Sequence, residues 1–361
     1  MKDHAESPIQ PSPDRRGFLQ SASAIGAGLA LSSAAANAQR AQDAVQSLEL
    51  TDTGPDRIPR KPFGSTKEKL SIIGLGGYSL GDAPSLKEAM AIVQGAIDAG
   101  VNFLDNAWEY HEGKSEEWMG QALKGRRDKV FLMTKVCTHG RDKKVGLQQL
   151  EESLKRLQTD HLDLWQIHEC VYDNDPERHF AKGGVVEALD EAKKAGKVRY
   201  VGFTGHKNPA IHLKMLSYKY PFDSVQMPLN AFDFSYRSFQ NRVLPEVNKR
   251  GMAGLGMKSL GGNGQPILKG VVTVEEALRY AMSLPVATTI SGIDSLAVLR
   301  QNLAIARGFK PMTREEMEWL RKHCARAAGD GHLELYKSTM KYDGDLGRKQ
   351  HGLPPHTELP L

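Results

Sequence analysis

What most limits the fold of this chain is an alternation of short apolar runs with longer stretches of helical periodicity. The apolar runs fall at 70–77, 102–105, 130–135, 162–168, 197–204, 224–227, 253–257 and 287–291. Helix-like patterning occupies 85–98, 115–123, 147–157, 185–195, 209–216, 243–250, 274–284 and 296–307. Eight strands alternating with eight helices over about 250 residues predict an α/β chain closed into a (β/α)8 TIM barrel. An open, doubly wound sheet competes, but it usually carries a Gly-x-Gly-x-x-Gly turn after its first strand. Gly74-Leu75-Gly76-Gly77-Tyr78-Ser79 does not complete that turn. The barrel is expected over 61–309, opened by a short hairpin near 61–71. Residues 310–361 read as a helix and an irregular tail that closes over the active-site face.

In such a barrel, residues at the carboxyl ends of strands carry the chemistry. Three consecutive predicted strands end in ionisable groups. Asn102-Phe103-Leu104-Asp105 leads to Tyr110, Val130 to Thr134 leads to Lys135, and Leu162 to Ile167 leads to His168. Ser115, after Gly113-Lys114, reads as the N-cap of the second helix. A tyrosine with a free pKa near 10 is a weak acid; a nearby ammonium should lower that value. An aspartate would hold the lysine charged, and a histidine could orient a substrate oxygen. Asp105, Tyr110, Lys135 and His168 thus suit a reaction that protonates a developing alkoxide.

The rest of the chain narrows the choice. A net charge of +5 is spread along the sequence, so nothing calls for nucleic acid. Cys137, Cys170 and Cys324 are too few and too scattered for a disulfide framework, a zinc site or an iron-sulfur cluster. No metal is expected. The chain begins with a polar, proline-bearing stretch and Arg15-Arg16-Gly17-Phe18-Leu19. A weakly apolar Ala/Gly/Ser run follows, then Ala36-Asn37-Ala38. This order resembles a twin-arginine (Tat) export signal over 1–38, cut near Ala38. It implies the Tat machinery as a partner, a periplasmic mature protein and no stable membrane insertion. A polar linker is expected over 39–60.

The surroundings of the four residues are also distinctive. Phe103-Leu104-Asp105-Asn106-Ala107 runs to Tyr110 and then Gly113-Lys114-Ser115-Glu116-Glu117. Arg126-Arg127-Asp128-Lys129-Val130 precedes Thr134-Lys135, and Leu154-Lys155-Arg156-Leu157 precedes the strand to His168. From about 61 to 307 the chain resembles the aldo-keto reductase superfamily, whose aspartate, tyrosine, lysine and histidine match here. The resemblance implies reduction of an aldehyde, ketone or sugar-like carbonyl by a nicotinamide cofactor, with Tyr110 as general acid.

It also implies cofactor contacts. Gln226 carries over as a grip on the carboxamide. The family's serine-asparagine pair is replaced by Thr204-Gly205-His206, where His206 is either a substitute donor or a loop residue facing solvent. The usual stacking tyrosine gives way to Met257-Lys258-Ser259-Leu260, as in a divergent branch of the superfamily. Lys258 is expected at the pyrophosphate or the substrate. Gly77 and Gly292 end the first and last strands beside the nucleotide, and Asn302 would meet the adenine. Val298 and Gln301 stand where an arginine and a glutamate are common, and Asp294 would repel a 2'-phosphate. The family prior still favours NADP(H) over NAD(H). Tyr78, Trp108, Glu109 and His111 flank the expected substrate mouth. The rival reading is a non-catalytic nicotinamide-binding redox sensor or partner-regulating module.

Overall fold

The computed structural model of the protein describes residues 49–137 and 142–358. A two-stranded antiparallel hairpin comes first, β1 (Arg60–Pro62) and β2 (Lys69–Ser71). Eight parallel strands follow: β3 (Ile73–Gly76), β4 (Phe103–Asp105), β5 (Phe131–Cys137) and β6 (Leu162–His168), then β7 (Val198–Thr204), β8 (Ser224–Pro228), β9 (Ala253–Met257) and β10 (Thr288–Gly292). Each pairs with the next and β10 pairs with β3, which closes the barrel.

One principal helix follows each strand: α1 (Leu86–Asp98), α2 (Lys114–Ala122), α3 (Lys143–Leu157) and α4 (Val185–Lys194), then α5 (Pro209–Ser217), α6 (Leu244–Lys249), α7 (Val274–Ser283) and α8 (Leu296–Ala306). Local chemistry starts several of them. Ser85, Asp142, Asn208 and Ser295 accept from backbone N–H groups of the first turn, and Thr273 with Glu276 forms a capping box. Asp142 starts α3 four residues before the apolar periodicity becomes visible. Ser115 is a correction. Gly113 caps α2 at φ 94°, while Ser115 lies one residue inside the helix, buried, and donates to Gly77 O. A hydroxyl committed to another element cannot serve as the cap.

The period of two along each strand divides the core into two shells. Phe103, Phe131, Met133, Leu164, Leu255 and Ile290 form a cluster inside the barrel. Leu104, Leu132, Val136, Trp165, Ile167, Val201 and Val225 join the larger cluster with the helices. By that phase Asp105, Lys135, His168, Thr204, Gln226 and Met257 all fall on the inward side at the carboxyl ends. The hairpin closes the opposite end. Phe63 and Leu70 belong to the inner cluster, Ser71 N donates to Asn102 just before β4, and Ser65 N donates to Gly251 O before β9.

Beyond the alternation come α9 (Arg314–Ala328), α10 (Leu335–Ser338) and α11 (Asp345–Gln350). This extension reaches loops at the carboxyl ends of the strands. Lys337, fully buried, lies 2.6 Å from Asp233 and 2.8 Å from Glu334 and donates to Tyr236 O. Gly344 N donates to Glu169, the residue after β6, at 3.0 Å. Cys137, Cys170 and Cys324 are buried and form no disulfide. The proposed leader, 1–38, lies outside the described residues, and among those described no helix is long and apolar enough to cross a membrane.

Candidate active site

Inward phase alone would place Lys135 near β4; side-chain chemistry fixes it. Its ammonium donates to Asp105 and to Asn106 O at 2.7 Å, and it reaches the Tyr110 hydroxyl at 3.1 Å. It also lies 4.7 Å from the centre of the Tyr110 ring. Only 1% of Lys135 is exposed, so these contacts replace water that a buried ammonium could not forgo. Tyr110 meets Tyr78 and His168 edge-on, at 5.4 and 5.7 Å between ring centres. Asp105, Tyr110, Lys135 and His168, drawn from three consecutive strand ends, therefore share one site.

The electrostatics correct one expectation. Burial, followed by the carboxylates of Asp105, Glu109 and Glu169 and by Tyr78, holds the Tyr110 phenol well above its usual value. Burial also pushes the Lys135 ammonium down, opposed by Asp105. The lysine's charge is shared with Asp105, so its pull on Tyr110 does not outweigh desolvation. Tyr110 rests as a neutral phenol, the form that has a proton to give.

Around this cluster the loops are bent against ordinary preference. His111 and Glu112 adopt φ of 50° and 57°, Glu169 74° and Lys258 56°. Non-glycine residues held there carry strain that surrounding contacts must offset. His111 faces Tyr78 O at 2.9 Å and Asp82 at 3.6 Å. Tyr78 remains exposed at the rim. Trp108 turns to α3, donating to Glu152 at 2.7 Å, with the Arg156 guanidinium 5.4 Å from its ring centre.

The residues expected at a cofactor divide into two groups. Thr204 and Gln226 are register partners on β7 and β8. Gln226 donates to the Met257 sulfur at 3.7 Å, and its buried Oε1 has no partner among the described residues. An orphaned amide oxygen beside a threonine suits a carboxamide ligand, so the residues fit a nicotinamide. Gly205 lets the chain pass close to β6, since a Cβ there would lie 2.2 Å from Cys170 O. His206 is buried rather than facing solvent; its Nε2 lies 2.6 Å from Glu169 Oε1 and its Nδ1 3.1 Å from Tyr336 O. Lys258 lies over Tyr336 and Tyr342, 5.4 and 5.3 Å from their centres, and burial lowers its pKa to about 8. Ser259 is buried and Leu260 half-buried beside it. The second group is separate. Gly292 adjoins Ser79, Asn302 is buried and donates to Ser291, and Gln301, next to it, is exposed.

Glu169, Asn230, Tyr336 and Tyr342 escape the sequence reading. Asn230 donates to the Tyr336 hydroxyl at 2.9 Å and to Lys258 O at 3.1 Å. Glu169 could have been noticed as the neighbour of His168, but the two tyrosines belong to a polar tail with no periodicity to place them.

The aldo/keto reductase family profile matches residues 72–265, from β3 to just past β9. The chain belongs to the aldo/keto reductase family. It is 28% identical over 306 residues to an uncharacterized oxidoreductase, YqkF, of Bacillus subtilis, covering 73% of this chain and 96% of that one. It is 34% identical over 134 residues to the methylglyoxal reductase YeaE of Escherichia coli, 37% of this chain and 45% of the other. The holo form of the aldo-keto reductase AKR11C1 from Bacillus halodurans superposes with a TM-score of 0.62 at 24% identity, covering 76% of this chain and 99% of that one. Aldo/keto reductases are NAD(P)-dependent oxidoreductases acting on carbonyl groups, and this chain is an enzyme of that class. Among the described residues no cluster of His, Cys, Asp and Glu could hold a metal ion.

Proposed function

We propose that this aldo/keto reductase reduces an aldehyde, ketone or sugar-like carbonyl, with Tyr110 as general acid. The carrying observation is the Lys135 ammonium set between Asp105 and the Tyr110 hydroxyl. Thr204 and Gln226 would hold the carboxamide of a reduced nicotinamide, which would supply the hydride; both ring nitrogens of His206 are engaged with Glu169 and Tyr336, so that residue supports the loop instead. As the carbonyl oxygen gains charge, Tyr110 releases its proton to it. The positive charge of Lys135 then stands beside the new phenolate and offsets it. His168 orients the carbonyl. Lys258 is assigned to the pyrophosphate and Asn302 to the adenine. NADP(H) is preferred on the family's habit, although Val298 and Asp294 do nothing to favour a 2'-phosphate.

The test is nicotinamide oxidation with a panel of small aldehydes, ketones, sugars and methylglyoxal, comparing the protein with Tyr110→Phe. That substitution keeps the ring and removes the proton. The expected outcome is a fall in kcat of roughly 10²–10⁴-fold, with nucleotide affinity unchanged by titration. Equal turnover in both proteins would overturn the general-acid assignment. A protein that binds nucleotide but turns over nothing on the panel would favour the non-catalytic sensor.

The leader supports a second proposal, that the enzyme is exported folded by the Tat route. Its motivation is Arg15-Arg16 ahead of the small-residue run. Fractionation should find a mature chain beginning near Gln39 in the periplasm, and Arg15→Lys with Arg16→Lys should retain it in the cytoplasm. An intact leader on cytoplasmic enzyme would sink this proposal.

A further inference from the structure

Glu116, in the first turn of α2, and Arg156, in the last turn of α3, stand outside the four-residue cluster but meet beside the loop that carries Tyr110. Arg156 Nη1 donates to Trp108 O at 2.9 Å, just before Tyr110, and lies 3.2 Å from Glu116 Oε2. The guanidinium also lies against Gly113, just after Tyr110, where a Cβ would be 2.5 Å from Arg156 Cζ. One side chain therefore holds the loop on both sides of the tyrosine. The loop needs such a hold. His111, Glu112 and Gly113 run in succession at φ 50°, 57° and 94°, and non-glycine residues keep that conformation only where surrounding contacts fix it.

The arginine is itself fixed at its base. α2 and α3 meet at Gly120, where a Cβ would be 2.3 Å from Arg156 O. The other oxygen of Glu116 accepts from the Thr134 hydroxyl at 2.6 Å, and Thr134 immediately precedes Lys135 on β5. Glu116 has no exposed surface, so its oxygens rely on these partners in place of water. A buried carboxylate thus joins the arginine that holds the Tyr110 loop to the strand that carries Lys135. We propose that Arg156 is a positioning residue which, with Glu116, sets the Tyr110 hydroxyl against the Lys135 ammonium, 3.1 Å apart. This rests on the carbonyl-reductase reading above. Trp108 N already donates to Lys135 O at 3.1 Å; the guanidinium adds the constraint beyond Trp108, over the stretch that carries Tyr110. Without it the turn at 111–113 relaxes and the hydroxyl moves off the ammonium. Lys135 then offsets the phenolate less as the proton leaves, since a fixed charge helps only where charge develops. Thr204 and Gln226 lie on β7 and β8, away from this contact, so nucleotide affinity is not at stake.

The experiment pairs kinetics with a readout that needs no turnover. Arg156→Met keeps the aliphatic stem and removes every donor. Arg156→Lys, which keeps the charge without the planar fork, takes its place if thermal unfolding shows the methionine variant unfolded. In single turnovers the variant should reduce a carbonyl roughly ten- to a hundred-fold more slowly, with nucleotide Kd unchanged. That loss should vanish in a Tyr110→Phe background, where no phenol is left to position; a general structural defect would instead multiply the two losses. In protein labelled with 13Cζ-tyrosine, the Tyr110 resonance, assigned through Tyr110→Phe, should shift in the variant while that of the buried Tyr280 stays in place. An unmoved Tyr110 resonance in a folded variant, or losses that multiply, overturns the proposal. A protein inactive on every carbonyl whose Tyr110 resonance still answers to Arg156 would defeat the reductase reading while supporting the positioning role.

Discussion

Lys61 lies on the hairpin at the end of the barrel away from the active site, and only 2% of it is exposed. Its ammonium donates to Leu284 O at 3.0 Å and to Met282 O, carbonyls at the end of α7, with no carboxylate paired to it among the described residues. Burial lowers its pKa to about 7, against about 10.4 in an unfolded chain. Below pH 7 it is charged in both states and its desolvation opposes folding throughout. Between about pH 7 and 10 the unfolded chain binds the extra proton, so this residue adds stability as pH rises. Tm should therefore climb across that window in the unaltered protein and climb less in Lys61→Met. Parallel slopes would assign the pH dependence to other groups.

At the scale of elements, the strand ends were readable because burial on both faces makes a barrel strand apolar until its mouth. An ionisable residue after such a run, as at Asp105, Lys135 and His168, has few places to go except the site. Helix starts were less readable. Ser115 has the composition of a cap, but a capping preference says nothing about a competing acceptor such as Gly77 O. Glu109 could be seen to flank the mouth, yet the groups it meets, the His168 ring at 2.5 Å and the Cys137 thiol at 2.8 Å, come from two later strands. The extension was least readable, since α10 is four residues long and its anchors are scattered through the β8 loop. One of those anchors is the buried Lys337 ammonium. Lys337→Met would leave Asp233 and Glu334 buried without their shared charge, and breaking such a group costs about 3–5 kcal/mol. The expected outcome is faster proteolysis within 330–350 with the barrel core resistant. Unchanged cleavage there would show that other contacts hold the segment.

Taken as a whole molecule, the barrel is closed at each end by chain that does not belong to the strand–helix repeat. The hairpin closes one face with Phe63 and Leu70, and 334–344 covers the other through His206, Glu169 and Lys258. The two closures differ in when they become available. The hairpin is synthesised before every barrel strand, so the inner apolar cluster can form around it. Tyr336 and Gly344 are synthesised after all eight strands and their helices. In order of synthesis, the face that carries Gln226 and Lys258 is therefore the last part of the barrel to receive its cover.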